Sequence, residues 1–347
     1  MSRAVRFYET GGPEVLRLED LADDALRDGE VRLRILAFGL NRSECQLRDG
    51  SYSMMGARFP TRLGREACGI VEEVASDAPA DLVGRRVTTI PKVVDVQRYG
   101  VYGERAIVPL AALAPWPEPL DPIGATAVWQ QYLTAYGPLV EFGRLEAGQW
   151  VLVTAAASSV GHAALQIVNA LGGQAIATTR DAAKAAHLRA AGAAHVIVVG
   201  ADTDIAVEAM KITGDAGVSL VLDPVAGPGL ERLAAAAAPG ATIFLYGQLD
   251  PTPAPFPVVP VLRKGLAFRG YTLWEIVLDE ALLARAQDWI LTRIADGTLR
   301  PKIDRVFELD EIVEAHRYME SNRQMGKIVV RVDRDAAGAR KATGERP

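Results

Sequence analysis

The stretch that decides the fold is VLVTAAASSVG at residues 151–161, which leads into an amphipathic run ending at Leu171. An apolar strand here passes through small residues only and then becomes a helix. In doubly wound folds such a turn brings backbone N–H groups and a helix N-terminus close to a pyrophosphate. The pattern predicts a dinucleotide-binding domain whose phosphate contacts come from Ala157, Ser158, Ser159, Val160 and Gly161.

The turn departs from the usual G-x-G-x-x-G pattern, because Ala155, Ser158 and Gly161 stand at the three glycine positions. Small side chains still permit a close approach of the backbone. Ser158 and Ser159 add hydroxyls of the kind that cap a helix N-terminus. The alternative interpretation is an ordinary strand-turn-helix unit of an α/β protein that holds no nucleotide.

The next strand ends about 20 residues after the turn, where an NAD site places an acidic residue against the ribose 2′-hydroxyl. No acid stands at this strand end. Thr178, Thr179 and Arg180 do, and Lys184 follows one helical turn later. Hydroxyls and cations suit a 2′-phosphate, which arginine binds through two parallel hydrogen bonds. We therefore predict NADP(H) rather than NAD(H), the alternative being that Arg180 and Lys184 are solvated surface cations.

Length and composition limit the class of protein. With 347 residues, 49% of them hydrophobic and 23% charged, the chain fits a globular protein of two domains. A net charge of −5 and the lack of a basic run give no support for nucleic-acid binding. Neither a signal segment nor a long apolar stretch is found, which predicts no membrane span. Cys45 and Cys68 form no metal-type spacing and no disulfide framework, so we expect a cytoplasmic protein.

Two kinds of pattern divide the chain. Up to about residue 120, short alternating strands are separated by glycine and proline, as in a β-barrel. From about Asp121, helical patterns alternate with apolar strands, which indicates βαβ units and a parallel sheet. The strands are predicted at 150–155, 174–179, 194–199, 218–223 and 241–246. The proline-rich residues 251–257 are predicted to form a connection, because proline suits neither a central strand nor a helix interior.

Nine short segments carry a resemblance to a known family. They are GGPEVL (11–16), GLNRSE (39–44), RDGSY (48–52), LGREACG (63–69), LTAY (133–136), AAASSVG (155–161), DPVAG (223–227), LYG (245–247) and GKIVV (326–330). In this order they resemble the medium-chain dehydrogenase/reductase superfamily. Within it they are most similar to the zinc-independent quinone oxidoreductase-like branch, which includes enoyl and enone reductases.

The resemblance implies an α/β protein with a GroES-like β-barrel catalytic domain and an inserted doubly wound, or Rossmann, domain. We predict the first at 1–123 and 266–333, the second at 124–265, and a mobile tail at 334–347. The resemblance also implies an active site in the cleft between the domains. It implies cofactor contacts from Thr134, Tyr246, Gly247 and Lys327. Together with the apolar, proline-rich segment 251–262, it predicts a homodimer.

The family comparison bears on metal. Zinc-using relatives carry Cys where this chain has Asn41 and His where it has Arg65, and only Glu66 keeps a side chain able to ligate. Catalytic zinc needs three protein ligands. The four-cysteine cluster of the structural zinc lobe is also missing, because 81–115 contains no cysteine. We predict no metal. For the four histidines (162, 187, 195 and 316) we predict structural or surface roles.

Without a Lewis acid, a quinone or the activated C=C bond of an α,β-unsaturated carbonyl is an easier hydride acceptor than a simple ketone. The protein must then place hydrogen-bond donors where negative charge develops. Asn41 and Tyr52 are the predicted donors. Alternatively, Asn41 only fixes its loop and Tyr52 only packs. Glu44 is a proton relay or the partner of an arginine, and core packing competes with pocket-lining roles for residues 129, 132 and 271.

The predicted activity is therefore an NADPH-dependent quinone or enone oxidoreductase acting on a small molecule. Two alternatives remain open from the sequence. One is a zinc-type alcohol dehydrogenase, which the replaced Cys and His positions argue against. The other is a non-catalytic protein that binds NADPH.

Overall fold

The computed structural model describes residues 1–52, 54–92 and 95–333. The tail predicted to be mobile, 334–347, lies outside the described residues. Contacts between Cα atoms divide the chain into two compact units. One comprises Met1–Gln130 and the chain from Pro301 on, and the other comprises Gln131–Arg300.

The first part of the chain is rich in strands because its apolar residues alternate with polar ones. Its strands are β1 (Ser2–Arg6), β2 (Arg17–Leu21), β3 (Glu30–Gly39), β4 (Ala67–Val74), β5 (Arg86–Thr89), β6 (Arg105–Pro109) and β7 (Leu113–Pro115). Its helices are α1 (Arg42–Asp49), α2 (Val96–Tyr99), α3 (Pro122–Ala125) and α4 (Trp129–Tyr136), the last of which crosses into the second unit.

The second unit is built on a parallel sheet. Its strands are β8 (Trp150–Val153), β9 (Gln174–Thr179), β10 (His195–Val198), β11 (Val218–Asp223), β12 (Ala237–Leu245) and β13 (Ala267–Gly270). Its further helices are α5 (Ser159–Ala170), α6 (Ala185–Ala190), α7 (Ile205–Thr213), α8 (Leu230–Ala236), α9 (Val258–Lys264), α10 (Trp274–Val277) and α11 (Glu280–Ala295). The order β10-β9-β8-β11-β12-β13 reverses direction between β8 and β11, the switch point at which doubly wound folds bind nucleotides.

The chain then returns to the first unit through β14 (Ile303–Glu308), α12 (Ile312–Glu320) and β15 (Lys327–Arg331). β15 pairs antiparallel with β3 and parallel with β14, completing a seven-stranded sheet. Apolar side chains from β3, β4, β6, β15 and α12 fill the core of this unit. The predicted α/β fold with a barrel-like and a doubly wound part is confirmed.

Two sequence-based boundaries differ from the structure. The division falls after Gln130 and after Arg300, later than the predicted limits of 124–265. The second limit moves because β13 pairs with β12 in the parallel sheet, so residues 266–300 pack with the second unit. The sequence gave β13 no strand signal because it is only four residues long. The connection at 251–257 is irregular, as predicted. Within the described residues, no helix is long and apolar enough to cross a membrane.

Candidate active site

The turn between β8 and α5 has the geometry that a pyrophosphate needs. Ser158 is the N-cap residue of α5, and its Oγ accepts a hydrogen bond from the N–H of Gly161 at 3.0 Å. A Cβ on Gly161 would lie 2.3 Å from the carbonyl oxygen of Ala156, so only glycine lets the helix start this close to the turn. Ala155 has a φ of +47°, in the left-handed region that usually takes glycine. The turn therefore has the form of a phosphate site at a helix N-terminus.

The residues predicted to meet a 2′-phosphate lie at and beyond the end of β9. Thr179 is buried, and its hydroxyl oxygen accepts a hydrogen bond from the N–H of Asp181 at 3.1 Å. Arg180 is exposed, whereas Lys184 is only 8% exposed. Asp181, the nearest acid after the strand, accepts a hydrogen bond from the N–H of Ala183 at 2.9 Å and so caps the following turn. Its carboxylate is thus already used in local structure.

The ends of β11 and β12 hold a second group of predicted cofactor residues. Asp223 is buried at the end of β11, where the Thr154 hydroxyl donates to its carboxylate. Burial raises the pKa of Asp223. The carbonyl of Asp223 accepts a hydrogen bond from the N–H of Tyr246 at 3.0 Å. A Cβ on Gly247 would lie 2.9 Å from the carbonyl oxygen of Pro224, so Gly247 lets these two loops pack closely. The Thr154–Asp223 contact was not predicted from the sequence.

A buried ion pair organises a second site, which lies wholly in the first unit. The ammonium of Lys327 donates to Glu66 Oε2 at 2.5 Å and to Asn41 Oδ1 at 2.7 Å. The other oxygen of Glu66, Oε1, accepts a hydrogen bond from the N–H of Gln130 at 2.8 Å. Lys327 and Glu66 are each 1% exposed, whereas Asn41 is partly exposed. We call these three side chains, Asn41, Glu66 and Lys327, the Asn–Lys–Glu network.

Glu44 holds Asn41 from another direction. The N–H of Asn41 donates to Glu44 Oε2 at 2.6 Å, which fixes the start of α1. The hydroxyl of Tyr102 donates to the same oxygen at 2.9 Å. Burial raises the pKa of Glu44, although the charge of Lys327 opposes that rise. Among the described residues its hydrogen-bond partners are therefore a tyrosine and an asparagine, and not the arginine that the sequence left open.

Other predicted site residues lie outside the network. The ring of Tyr52 packs against the apolar core of the first unit, and no hydrogen bond between described residues joins its hydroxyl to Asn41. Three aromatic residues considered as pocket walls are buried with satisfied polar atoms. Trp129 donates to Thr88, Tyr132 to Gln166 and Tyr271 to the Leu133 carbonyl. Thr134 is buried on α4.

The histidines occupy positions typical of structural residues. His162 Nε2 lies 2.8 Å from His187 Nε2, which joins α5 to α6. His316 is buried, and its Nδ1 accepts a hydrogen bond from Arg48 Nη1 at 3.1 Å. The ring of His195 packs against that of Trp150.

Sequence reasoning named Asn41, Glu66 and Lys327 separately and did not link them. A signal was present, since a lysine opening the apolar strand KIVV and a glutamate inside LGREACG each predict a buried charge that needs a partner. Which charge partners which depends on the pairing of β15 with β3, and that pairing is not readable from one sequence.

Comparisons with known proteins place the chain in a family. Residues 27–118 match the family model described as alcohol dehydrogenase GroES-like domain, and residues 191–330 match the model described as zinc-binding dehydrogenase. Human quinone oxidoreductase is 28% identical over 324 residues, covering 91% of this chain and 93% of its own. The 2-haloacrylate reductase of Burkholderia sp is 27% identical over 336 residues, covering 95% of this chain and 99% of its own.

A solved structure agrees with these matches. The crystal structure of Escherichia coli quinone oxidoreductase complexed with NADPH has a TM-score of 0.85 to this chain at 25% identity, covering 95% of this chain and 99% of that one. The chain belongs to the medium-chain dehydrogenase/reductase superfamily, in its quinone oxidoreductase-like branch. The resemblance inferred from the nine segments is confirmed.

The description of one matching model raises the question of zinc. Arg65 is a cation that cannot ligate a metal, and its Nη2 donates to Met55 Sδ at 3.0 Å. Glu66 is already neutralised by Lys327. Within residues 1–52, 54–92 and 95–333, no group of three or more His, Cys, Asp or Glu side chains is placed to hold an ion. The residues present do not fit catalytic zinc, and no step below uses it.

Proposed function

We propose that this protein is an NADPH-dependent oxidoreductase. It transfers hydride to a quinone or to the activated C=C bond of an α,β-unsaturated carbonyl, without a metal. The observation that carries the proposal is the state of Asn41. Its Oδ1 is occupied by the ammonium of Lys327, so the partly exposed amide presents only N–H donors to a ligand. A site that only donates favours acceptor oxygens, such as those of quinones and conjugated carbonyls.

The second unit supplies the proposed cofactor site. The turn before α5 would hold the pyrophosphate, with backbone N–H groups and the helix N-terminus facing the anion. Arg180, Lys184 and the hydroxyl of Thr179 would hold the 2′-phosphate. The remaining proposed contacts come from Thr134, Tyr246 and Gly247. The NADPH complex of the Escherichia coli relative and the fit of this turn both support NADP(H) as the cofactor.

When bound, NADPH supplies the hydride. Negative charge then develops on the substrate's carbonyl oxygen. The amide N–H of Asn41 donates to that oxygen, and because the amide is already oriented it needs no rearrangement as the charge forms. Tyr52 is the proposed second donor. Solvent supplies the final proton, because the buried carboxyl of Glu44 is enclosed by Asn41 and Tyr102.

A substrate panel tests the proposal. Quinones, enones, simple ketones and primary alcohols are each mixed with the purified protein and with NADPH, NADH or their oxidised forms, and the absorbance of the reduced nicotinamide is followed. We expect NADPH oxidation with quinones or enones. Oxidation of alcohols would support the alcohol dehydrogenase instead. Tight NADPH binding with no turnover on any substrate would support a non-catalytic protein.

We also propose a homodimer formed through the edge of the parallel sheet. β13 is the last strand on that side, and an open strand edge readily pairs with another chain. The neighbouring segment 256–262 exposes four large apolar side chains: Phe256, Val258, Val259 and Leu262. Lys264 fixes α9 in this position, since its ammonium donates to the carbonyls of Ala235 and Ala237 at 2.6 and 2.7 Å.

The proposed compartment is the cytoplasm. Cys45 and Cys68 are both free thiols buried in the first unit. Burial raises the pKa of Cys45 to about 12, so that the thiol is unreactive at neutral pH. Free thiols suit a reducing compartment. Cell fractionation with an antibody to the native protein tests this placement.

A further inference from the structure

We infer that Lys327 is a positioning residue that acts through Asn41, and that it makes no contact with the cofactor or the substrate. The inference rests on the proposed function, because it concerns how the Asn41 amide is held ready for a substrate oxygen. It differs from the sequence-based prediction, in which Lys327 was a cofactor contact. Three features of the Asn–Lys–Glu network support it: the path of the lysine side chain, the chemistry of its ammonium, and the burial of the group.

The path of the side chain depends on Gly39. β15 pairs with β3 so that Val329 lies opposite Gly39, which brings the start of β15 to the end of β3. A Cβ on Gly39 would lie 2.5 Å from Lys327 Cε and 3.0 Å from Glu66 Oε2. The lysine chain therefore passes over a backbone that has no side chain. This explains why glycine stands two residues before Asn41.

The chemistry of the ammonium fixes the orientation of the amide. An ammonium only donates hydrogen bonds, so the atom of Asn41 that faces Lys327 must be Oδ1. Turning the amide over would set N–H groups against a cation in a buried site. The Nδ2 hydrogens are consequently directed away from the lysine, and one of them approaches Glu44 Oε1 at 3.4 Å.

Burial decides which residue a ligand can reach. Lys327 and Glu66 are both 1% exposed and satisfy each other's charge, whereas Asn41 is partly exposed. A ligand thus meets the amide and not the ammonium. The cation polarises the amide through Oδ1, which strengthens its N–H groups as donors. The network therefore favours substrates with an acceptor oxygen and gives no base to an alcohol.

The first experiment uses selective labelling, because the chain contains only three asparagines, Asn41, Asn169 and Asn322. With ¹⁵N-asparagine, the cofactor-free protein gives three side-chain NH₂ pairs, and Asn41→Ala identifies one of them. We expect Lys327→Met and Gly39→Ala to shift the Asn41 pair and leave the other two in place. Lys211→Met, which removes an exposed lysine paired with Glu208, is the matched control and should shift none. An unmoved Asn41 pair in Lys327→Met would overturn the inference.

The second experiment measures kinetics and binding. We expect Lys327→Met to lower kcat by at least about tenfold, less than the loss from deleting the donor itself. NADPH affinity should stay within twofold of wild type. In an Asn41→Ala background, Lys327→Met should cause little further loss of kcat, because its effect passes through the missing amide. Equal and independent losses, or a matching loss of NADPH affinity, would show that Lys327 contacts the cofactor directly.

Folding is controlled by a further pair of variants. Lys327→Met leaves the Glu66 carboxylate buried and unpaired, so Lys327→Met with Glu66→Gln removes both charges and takes its place where the single variant does not fold. Lys327→Arg keeps a cationic donor and should retain more activity than either. If wild type turns over no quinone or enone, the proposed function fails while the labelling experiment still decides the role of Lys327. If wild type is active and Lys327→Met matches it, only the positioning role fails.

Discussion

At the scale of single residues, Asn41 combines a structural and a chemical position. Its N–H group is held by Glu44 at the start of α1, and its side-chain oxygen is held by Lys327. The sequence left two interpretations of Asn41 open, a loop-fixing residue and a donor to substrate. The structure provides for both, because different atoms of the same residue serve each role.

Replacing the proposed donors tests the second interpretation. We expect Asn41→Ala to lower kcat about 10²-fold, since losing one donor that acts on developing charge costs about 10²–10³. Tyr52→Phe should lower it less, because the tyrosine ring packs against the core and its hydroxyl lies outside the Asn–Lys–Glu network. NADPH affinity should stay near wild type in both. Unchanged kcat in both variants would mean that neither residue stabilises the reacting oxygen.

Cofactor choice is a second property of single residues. We expect Arg180→Ala combined with Lys184→Ala to weaken NADPH binding by a few kcal/mol, since hydrogen bonds to charged groups contribute about 1.5–3 kcal/mol each. NADH binding should barely change, because NADH lacks the 2′-phosphate. Fluorescence titration with both cofactors measures the difference. Arg189→Ala, on the exposed side of α6, is the matched control. Equal weakening of both cofactors would contradict the assignment.

At the scale of elements, α9 and β13 carry the proposed assembly. Leu262 on α9 is 77% exposed, which is unusual for a large apolar side chain at a surface with no partner. We expect Leu262→Glu to convert a dimer into monomers at micromolar concentration, because it would bury a carboxylate in the contact. Light scattering measures the mass. Leu278→Glu, also at an exposed leucine but outside this segment, is the control. A wild-type protein that is monomeric would refute the dimer.

At the scale of the whole molecule, metal content is one testable property. We expect purified protein to hold well under one zinc per chain, because the side chains around Asn41 offer a cation and an already paired carboxylate in place of ligands. Elemental analysis and dialysis against a chelator measure this, with turnover followed before and after. Stoichiometric zinc together with chelator-sensitive turnover would refute the metal-free site.

Stability against acid is another property of the whole molecule. Burial and the charge of Arg48 lower the pKa of His316 to about 3, from about 6.5 in the unfolded chain. The unfolded state therefore binds a proton between pH 6.5 and 3 that the folded state does not, and stability falls as the pH drops. From pH 6.5 to 5 we expect His316 to cost roughly 2 kcal/mol, at 1.36 kcal/mol per pKa unit. Urea unfolding at several pH values should show a shallower fall for His316→Gln, and identical slopes would contradict the assignment.

The sequence by itself determined the class of fold and the location of the phosphate turn. The period of the apolar residues predicted five of the six parallel strands, and the small residues of 155–161 predicted a helix N-terminus open to an anion. These properties are local, because strand period, capping and turn chemistry depend on neighbouring residues. The motif order across the chain added the family.

The tertiary structure alone decided the partners of the buried charges. Asn41, Glu66 and Lys327 are separated by up to 286 residues, and they meet because β15 pairs with β3. The unit boundary after Arg300 likewise depends on β13 joining the parallel sheet. Long-range strand pairing follows from the packing of the entire unit, and buried charges settle where that packing satisfies them. A local pattern shows that such a residue needs a partner and leaves the identity of the partner to the fold.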